Sequence, residues 1–220
     1  MVPIKCDTPG KAIPFATMSL IAMCILSYIK HELVASWAQG FVPLHFADSL
    51  FHPVDRGPAV IVSLVLSLFT HAGIIHLVSN MWYLWIFGSA VERHIGAIRF
   101  IIIYFISGIF AMLIQGLSNP FSAIPVVGAS GAIAGIMGIH FILLPMSTIF
   151  VWVPPVFFFR IWAFIFLAAW FGVQYVSLKS AHPESEGIAW WAHVGGYITG
   201  SAWGIFRRVR TRKAGEKNTP

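Results

Sequence analysis

The chain has 220 residues, of which 58% are hydrophobic and only 10% charged, with a mean hydropathy of +0.80. Soluble domains carry about 25% charged residues, so this balance excludes an ordinary soluble domain and places the chain in a lipid bilayer. The formal charge of +6 would suggest nucleic acid in a soluble protein; here the basic residues flank apolar segments, so membrane topology accounts for them and no nucleic-acid partner is expected.

Taken in order, residues 1–11 form a polar head with Lys5 and Lys11, read as a cytoplasmic tail. Residues 12–29 are apolar and long enough to span. No small-residue cleavage site follows them, so they read as a retained anchor. Residues 30–58, with Glu32, Asp48, Asp55, Arg56, Gly40, Pro43, Pro53, Gly57 and Pro58, read as a long loop. Residues 59–70 are apolar but too short to cross, which predicts a re-entrant or interfacial piece. Residues 74–91 are the second expected span, and Glu92, Arg93, His94, Gly96 and Arg99 mark a tight polar turn after it. Residues 100–115 are the third. Residues 116–127 form an apolar loop with Asn119, Pro120 and Pro125. Residues 129–144 are the fourth span, stopped by Pro145, and 146–160 read as a connector holding Pro154 and Pro155. Residues 161–178 and 188–206 are the fifth and sixth spans, joined by a polar loop, and 207–220 read as a disordered basic cytoplasmic tail beside anionic lipid. The expected fold is all-α: a polytopic six-helix bundle over residues 12–206.

Six spans put both termini on one side. Lys5, Lys11, Arg93, Arg99, Arg160 and the six Lys/Arg after Phe206 fall on that side; Lys30, Arg56 and Lys179 fall on the other. Positive residues concentrate in the cytoplasm, so both termini are expected there. Cys24 lies within an apolar run and Cys6 is the only other cysteine, so neither a disulfide framework nor a thiolate metal site is indicated.

With this topology, spans two, four and six run in the same direction, from outside to inside. His76 lies near the start of the second. Ser130 opens the fourth, and His193 is about five residues into the sixth, roughly 8 Å deep. A lone serine in apolar sequence is ordinarily a packing residue, but three polar positions at one depth are not expected of random packing, and intramembrane polar groups default to functional candidates. His76 and Asn80 are four apart and share a helix face. Gly131, Gly135 and Gly138 on one span, and Gly196, Gly200 and Gly204 on another, permit close helix approach, which would carry Ser130 to His193. A serine needs a base, and imidazole is the usual one. No Asp or Glu lies within a span near His193, so a hydrolase built here uses a Ser–His dyad. His76, the Asn80 amide and the Ser130 backbone N–H are the available oxyanion donors, helped by the helix N-terminus. His140, about 15 Å further along the helix, reads as an interior group, and His71 with His76 does not form a zinc-binding pattern; no metal is expected.

The runs His71-Ala72-Gly73-Ile74-Ile75-His76-Leu77-Val78-Ser79-Asn80, Glu92 with Gly96, Gly128-Ala129-Ser130-Gly131, and Ala192-His193-Val194-Gly195-Gly196 with Gly200 resemble, in this order, the rhomboid intramembrane serine proteases over about residues 60–206. The resemblance implies Ser130 as nucleophile, His193 as base, His76 and Asn80 at the oxyanion, and structural roles for His71, Glu92, Gly128, Gly196 and Gly200. It implies single-span membrane proteins as substrates, the bilayer as surroundings and no cofactor. Many members carry a Trp-Arg pair in the first outer loop, whereas here Arg56 precedes Gly57-Pro58. Some carry an aromatic residue four after the serine that stacks on the histidine; here it is Ala134, so His193 must be oriented otherwise. The resemblance also implies Trp170, Phe171 and Gln174 as candidates for a substrate gate. The alternative is a catalytically silent relative that binds membrane helices. A small transporter would need a charged site at mid-membrane, which this sequence lacks. No Arg- and Ser-rich presequence is seen, so a bacterial plasma membrane is expected.

Overall fold

A computed structural model describes residues 1–8, 12–34, 40–180 and 189–216. Lys11, part of the first long loop, the loop with Glu184 and Glu186, and the last four residues of the basic tail lie outside the described residues.

Nine α-helices and three short strands are described. The helices are α1 (Phe15–Val34), α2 (Pro43–Ser49), α3 (Pro53–Leu66), α4 (Ile74–Tyr83), α5 (Ser89–Ile95), α6 (Ala97–Ser118), α7 (Ser130–Leu143), α8 (Ala163–Ser180) and α9 (Trp190–Glu216). A π-helical turn, Leu84–Gly88, joins α4 to α5 into one rod, Ile74–Ile95. Each of the six segments expected to span falls on a helix. Three helices are long and apolar enough to cross a membrane: Ile74–Ile95, Ala97–Ser118 and Ala163–Ser180. Lipid as the surrounding solvent explains why Ile75, Ile98 and Val176 are exposed by 83%, 77% and 63%.

The fold departs from the sequence expectation in four places. Residues 30–58 are not one loop, since α2 and the start of α3 lie there, each with a proline in its first turn. Proline lacks an N–H that the first helical turn leaves unpaired anyway, and its φ is already helical; the prolines were read as loop markers when they start helices. Residues 2–7 and the connector 146–160 form a sheet, so the chain is mostly rather than wholly helical. Strand β1 (Val2–Asp7) pairs antiparallel with β2 (Thr148–Val153), which pairs antiparallel with β3 (Phe157–Trp162). β2 and β3 are rich in Val, Ile, Phe and Trp, which favour strands, around Pro154-Pro155 at the turn. Helix α9 continues through the basic segment to Glu216, where disorder was expected.

Helix α7 is the centre of the bundle. Every residue from Gly131 to His140 is buried, as expected of a helix apolar on all faces. Its closest partner is α9. A Cβ on Gly196 would overlap the Gly131 carbonyl, and one on Gly200 would overlap the Gly135 carbonyl. The two helices therefore touch backbone to backbone, an approach open only to small residues.

Two further devices hold the frame. Gly96, at φ +85°, turns α5 into α6 without an intervening loop; an L side chain is disfavoured in that conformation. Glu92, 4% exposed, accepts the backbone N–H of Ala16 at 2.9 Å and both the N–H and hydroxyl of Thr17 at 2.7 Å. These are donors of the first turn of α1, where the helix dipole favours a negative charge. The carboxylate that reads as a turn residue thus caps a helix about 75 positions away in sequence.

Glu92→Ala should lower stability by about 2–6 kcal/mol, since it leaves two buried N–H groups unpaired at about 1–3 kcal/mol each. Thermal unfolding in detergent, where the variant should melt earlier than the parent protein, checks this. Gly200→Val should force α7 and α9 apart and also melt early, by about 1–3 kcal/mol of overpacking; an unchanged melting temperature would contradict the backbone contact.

Candidate active site

The site forms where α7 begins. The apolar loop before it bends at Gly128, whose φ is +118° and whose N–H donates to the Ser67 carbonyl at 2.9 Å. A Cβ on Gly128 would stand 2.7 Å from His76 Nε2 and 3.8 Å from Ser130 Oγ. Glycine is thus required twice here, for the backbone conformation and for space, and the imidazole of α4 and the hydroxyl of α7 share the volume that this missing side chain leaves. Ser130 is the first residue of α7, so its own N–H is among those a helix N-terminus leaves without an intrahelical partner.

His193 lies in the first turn of α9. Its backbone N–H donates to Ala189 at 3.3 Å. A Cβ on Gly131 would lie 3.5 Å from the Ala192 carbonyl, so the residue after Ser130 packs on the residue before His193. His76 and His193 are within electrostatic reach of one another. His76, Gly128, Ser130 and His193 are therefore gathered at the same end of α7. Among the described residues Ser130 Oγ and His193 Nε2 are not hydrogen-bonded; such bonds are often long without substrate and tighten when it binds.

The imidazole of His193 is held on several sides. Nδ1 lies 2.7 Å from Gln174 Oε1 on α8. The Trp190 ring meets it edge-on with centroids 6.0 Å apart, and the Trp170 ring is tilted at 6.1 Å. Trp170 and Phe171 also stack on Tyr197 of α9, so all three residues matched to a gate face α9. The N-terminus of α9 is held from α6 as well, because Ala192 donates its N–H to Gln115 Oε1 at 3.2 Å. Gln115 escaped the sequence reading. Its signal was available: an amide inside an apolar helix needs a partner.

Asn80, 6% exposed, gives one amide N–H to the His76 carbonyl at 3.0 Å, which leaves its second amide hydrogen. His71 sits in the loop before α4 with its ring edge-on to His76 at 5.2 Å and Nδ1 3.3 Å from the Phe69 carbonyl. Burial, reinforced by His76, pushes its imidazole down to about 4, so it is neutral at neutral pH and packs against His76 without adding charge.

At the opposite end of α7, His140 Nε2 lies 2.8 Å from Ser147 Oγ and 3.7 Å from Cys6 Sγ on β1. Burial pushes the Cys6 thiol up to about 11, so it stays protonated and a poor nucleophile. No group of three or more His, Cys, Asp or Glu able to hold a metal ion occurs among the described residues.

A serine at a helix N-terminus beside two imidazoles, one of them held by an amide, is equipped for acyl transfer. Comparison with known proteins gives the family. Rhomboid protease GlpG of Enterobacter sp. (strain 638) is 28% identical over 210 residues, covering 92% of this chain and 66% of that protein. Rhomboid protease GluP of Bacillus subtilis (strain 168) is 44% identical over 68 residues, 31% of this chain and 13% of that protein. RHOMBOID-like protein 6, mitochondrial, of Arabidopsis thaliana is 45% identical over 75 residues, 34% of this chain and 24% of that protein. The chain thus spans less than two thirds of the length of each of these relatives. The rhomboid domain family matches residues 58–210, a stretch that includes α4 to α8 and the first turns of α9, and the chain belongs to the rhomboid family.

Proposed function

We propose that the protein is an intramembrane serine endopeptidase that cuts single-span membrane proteins with a Ser130–His193 dyad. One observation carries the reading: Gly131 packs on the Ala192 backbone, which brings together the helix starts that bear Ser130 and His193. Ser130 Oγ attacks the scissile carbonyl carbon and its proton passes to His193 Nε2. The tetrahedral oxyanion is met by the Ser130 N–H, the positive end of α7, His76 and the free hydrogen of Asn80. Collapse breaks the C–N bond, and the leaving amine takes the proton from Nε2. Water, deprotonated by the same nitrogen, then hydrolyses the acyl-serine to a free carboxylic acid.

The substrate class follows from the surroundings. A transmembrane helix hides its carbonyls in the backbone ladder, so a substrate must unwind locally, and helix-weak residues near the cut favour this. Water is a reactant, which suits a site shallow beneath the outer surface. Six crossing helices with both termini in the cytoplasm, as the distribution of Lys and Arg favours, put the start of α7 on the external side, and a bacterial plasma membrane is the proposed location. The proposed units are a cytoplasmic segment 1–11, a protease domain 12–206 and a basic cytoplasmic segment 207–220.

Labelling by a fluorophosphonate, which reacts with activated serines, should be seen for the parent protein and fall by about 10³-fold or more in Ser130→Ala and His193→Ala. Equal labelling of all three would exclude the dyad, and an unlabelled but folded parent would favour a catalytically silent relative. Gly128→Ala places a methyl group against His76 in a disfavoured backbone conformation. Cleavage of a transmembrane reporter should then fall by about 100-fold, the usual effect of losing one oxyanion donor, with kcat rather than KM carrying the loss.

A further inference from the structure

We propose that Gln174 is a positioning residue for His193, holding its imidazole in the orientation and tautomer that a carboxylate supplies in a Ser–His–Asp triad. This rests on the Ser130–His193 reading above and extends it.

Gln174 lies in α8 and is 7% exposed. A buried amide inside an apolar helix needs a strong reason and a partner. Its partner is His193 Nδ1, at 2.7 Å from Oε1. An amide oxygen can only accept, so Nδ1 must carry the hydrogen. In neutral imidazole the other nitrogen, Nε2, then holds the lone pair. That is the form required to take a proton from Ser130. Trp190 and Trp170 limit the tilt of the ring, but neither can choose its tautomer.

Of the acidic side chains described, Glu92 is committed to α1, Asp7 to Lys5 at 3.1 Å and Arg160 at 2.9 Å, and Asp48 on α2 lies 4.0 Å from His52. Gln174 thus performs two of the three tasks of a triad aspartate, orienting the ring and fixing its proton. It omits the third, since it brings no negative charge to stabilise imidazolium. Among the described residues the titratable group facing His193 from another helix is His76 on α4, with Tyr197 one turn along α9.

The rate of fluorophosphonate inactivation, followed from pH 5 to 9, tests this on the full-length protein in detergent. Gln174→Met keeps the volume but removes the acceptor, and should slow inactivation by about 10- to 100-fold; the buried donor left unpaired should also lower the melting temperature modestly, so the pH profile and the tautomer, not stability, decide the role. Gln174→Glu restores an acceptor and adds a charge that favours protonated His193. It should recover most of the rate near pH 8 while its acid limb moves to higher pH by about one unit. Selective ¹⁵N-imidazole spectra should show His193 protonated at Nδ1 in the parent and a mixture of tautomers in Gln174→Met. If the parent is labelled at Ser130 but both variants keep its rate, pH profile and tautomer, the role of Gln174 is overturned while the dyad stands. If the parent is not labelled, the dyad itself fails.

Discussion

The structure depends on the contact between α7 and α9, where glycine meets backbone. Lipid tails are as apolar as leucine, so helices in a bilayer gain little from hiding apolar side chains against each other. What remains is close packing and paired polar groups. Gly196 and Gly200 sit where a single methyl would strike a carbonyl of α7. That proximity brings together the helix starts that bear Ser130 and His193, some sixty positions apart. It also leaves α7 fully enclosed, so the helix that carries the proposed nucleophile is fixed from both sides.

The two ends of α7 have different work. At its start the first N–H groups have no intrahelical partner, and the imidazoles of His76 and His193 are gathered there. At its far end His140 is bonded to Ser147 beside Cys6, and the three-stranded sheet covers it. The same helix is therefore open to chemistry at one end and sealed at the other. Glu92 belongs to the sealing side; by gathering the first turn of α1 it ties a helix that would otherwise be held mainly by apolar contacts.

Amides do much of the polar work in this bundle. Gln115 holds the first turn of α9, Gln174 meets His193, and Asn80 bonds within α4 beside His76. A neutral amide satisfies a buried partner without the desolvation penalty of a buried charge. That suits an interior with few carboxylates, and it places the base among groups that do not alter its charge.

Much of this was legible in the sequence because bilayers impose simple rules. Apolar length, the bias of Lys and Arg, and small residues four apart located the helices and pointed to Ser130, His76 and His193 as neighbours. The sheet and the helices α2 and α3 were not legible: Pro43 and Pro53 mark helix starts as readily as loops, and strands β1 and β2 are separated by about 140 residues, so only folding reveals that they pair. The partner of His193 was hidden for the same reason. Nothing local in Gln174 says which side of α8 faces inward, and its 2.7 Å bond to the imidazole exists only because α8 packs on α9. Sequence alone determined the solvent and the long apolar helices and named the candidate residues; the tertiary structure decided which polar group answers which, because hydrogen bonds are made across helices and their geometry is set by packing.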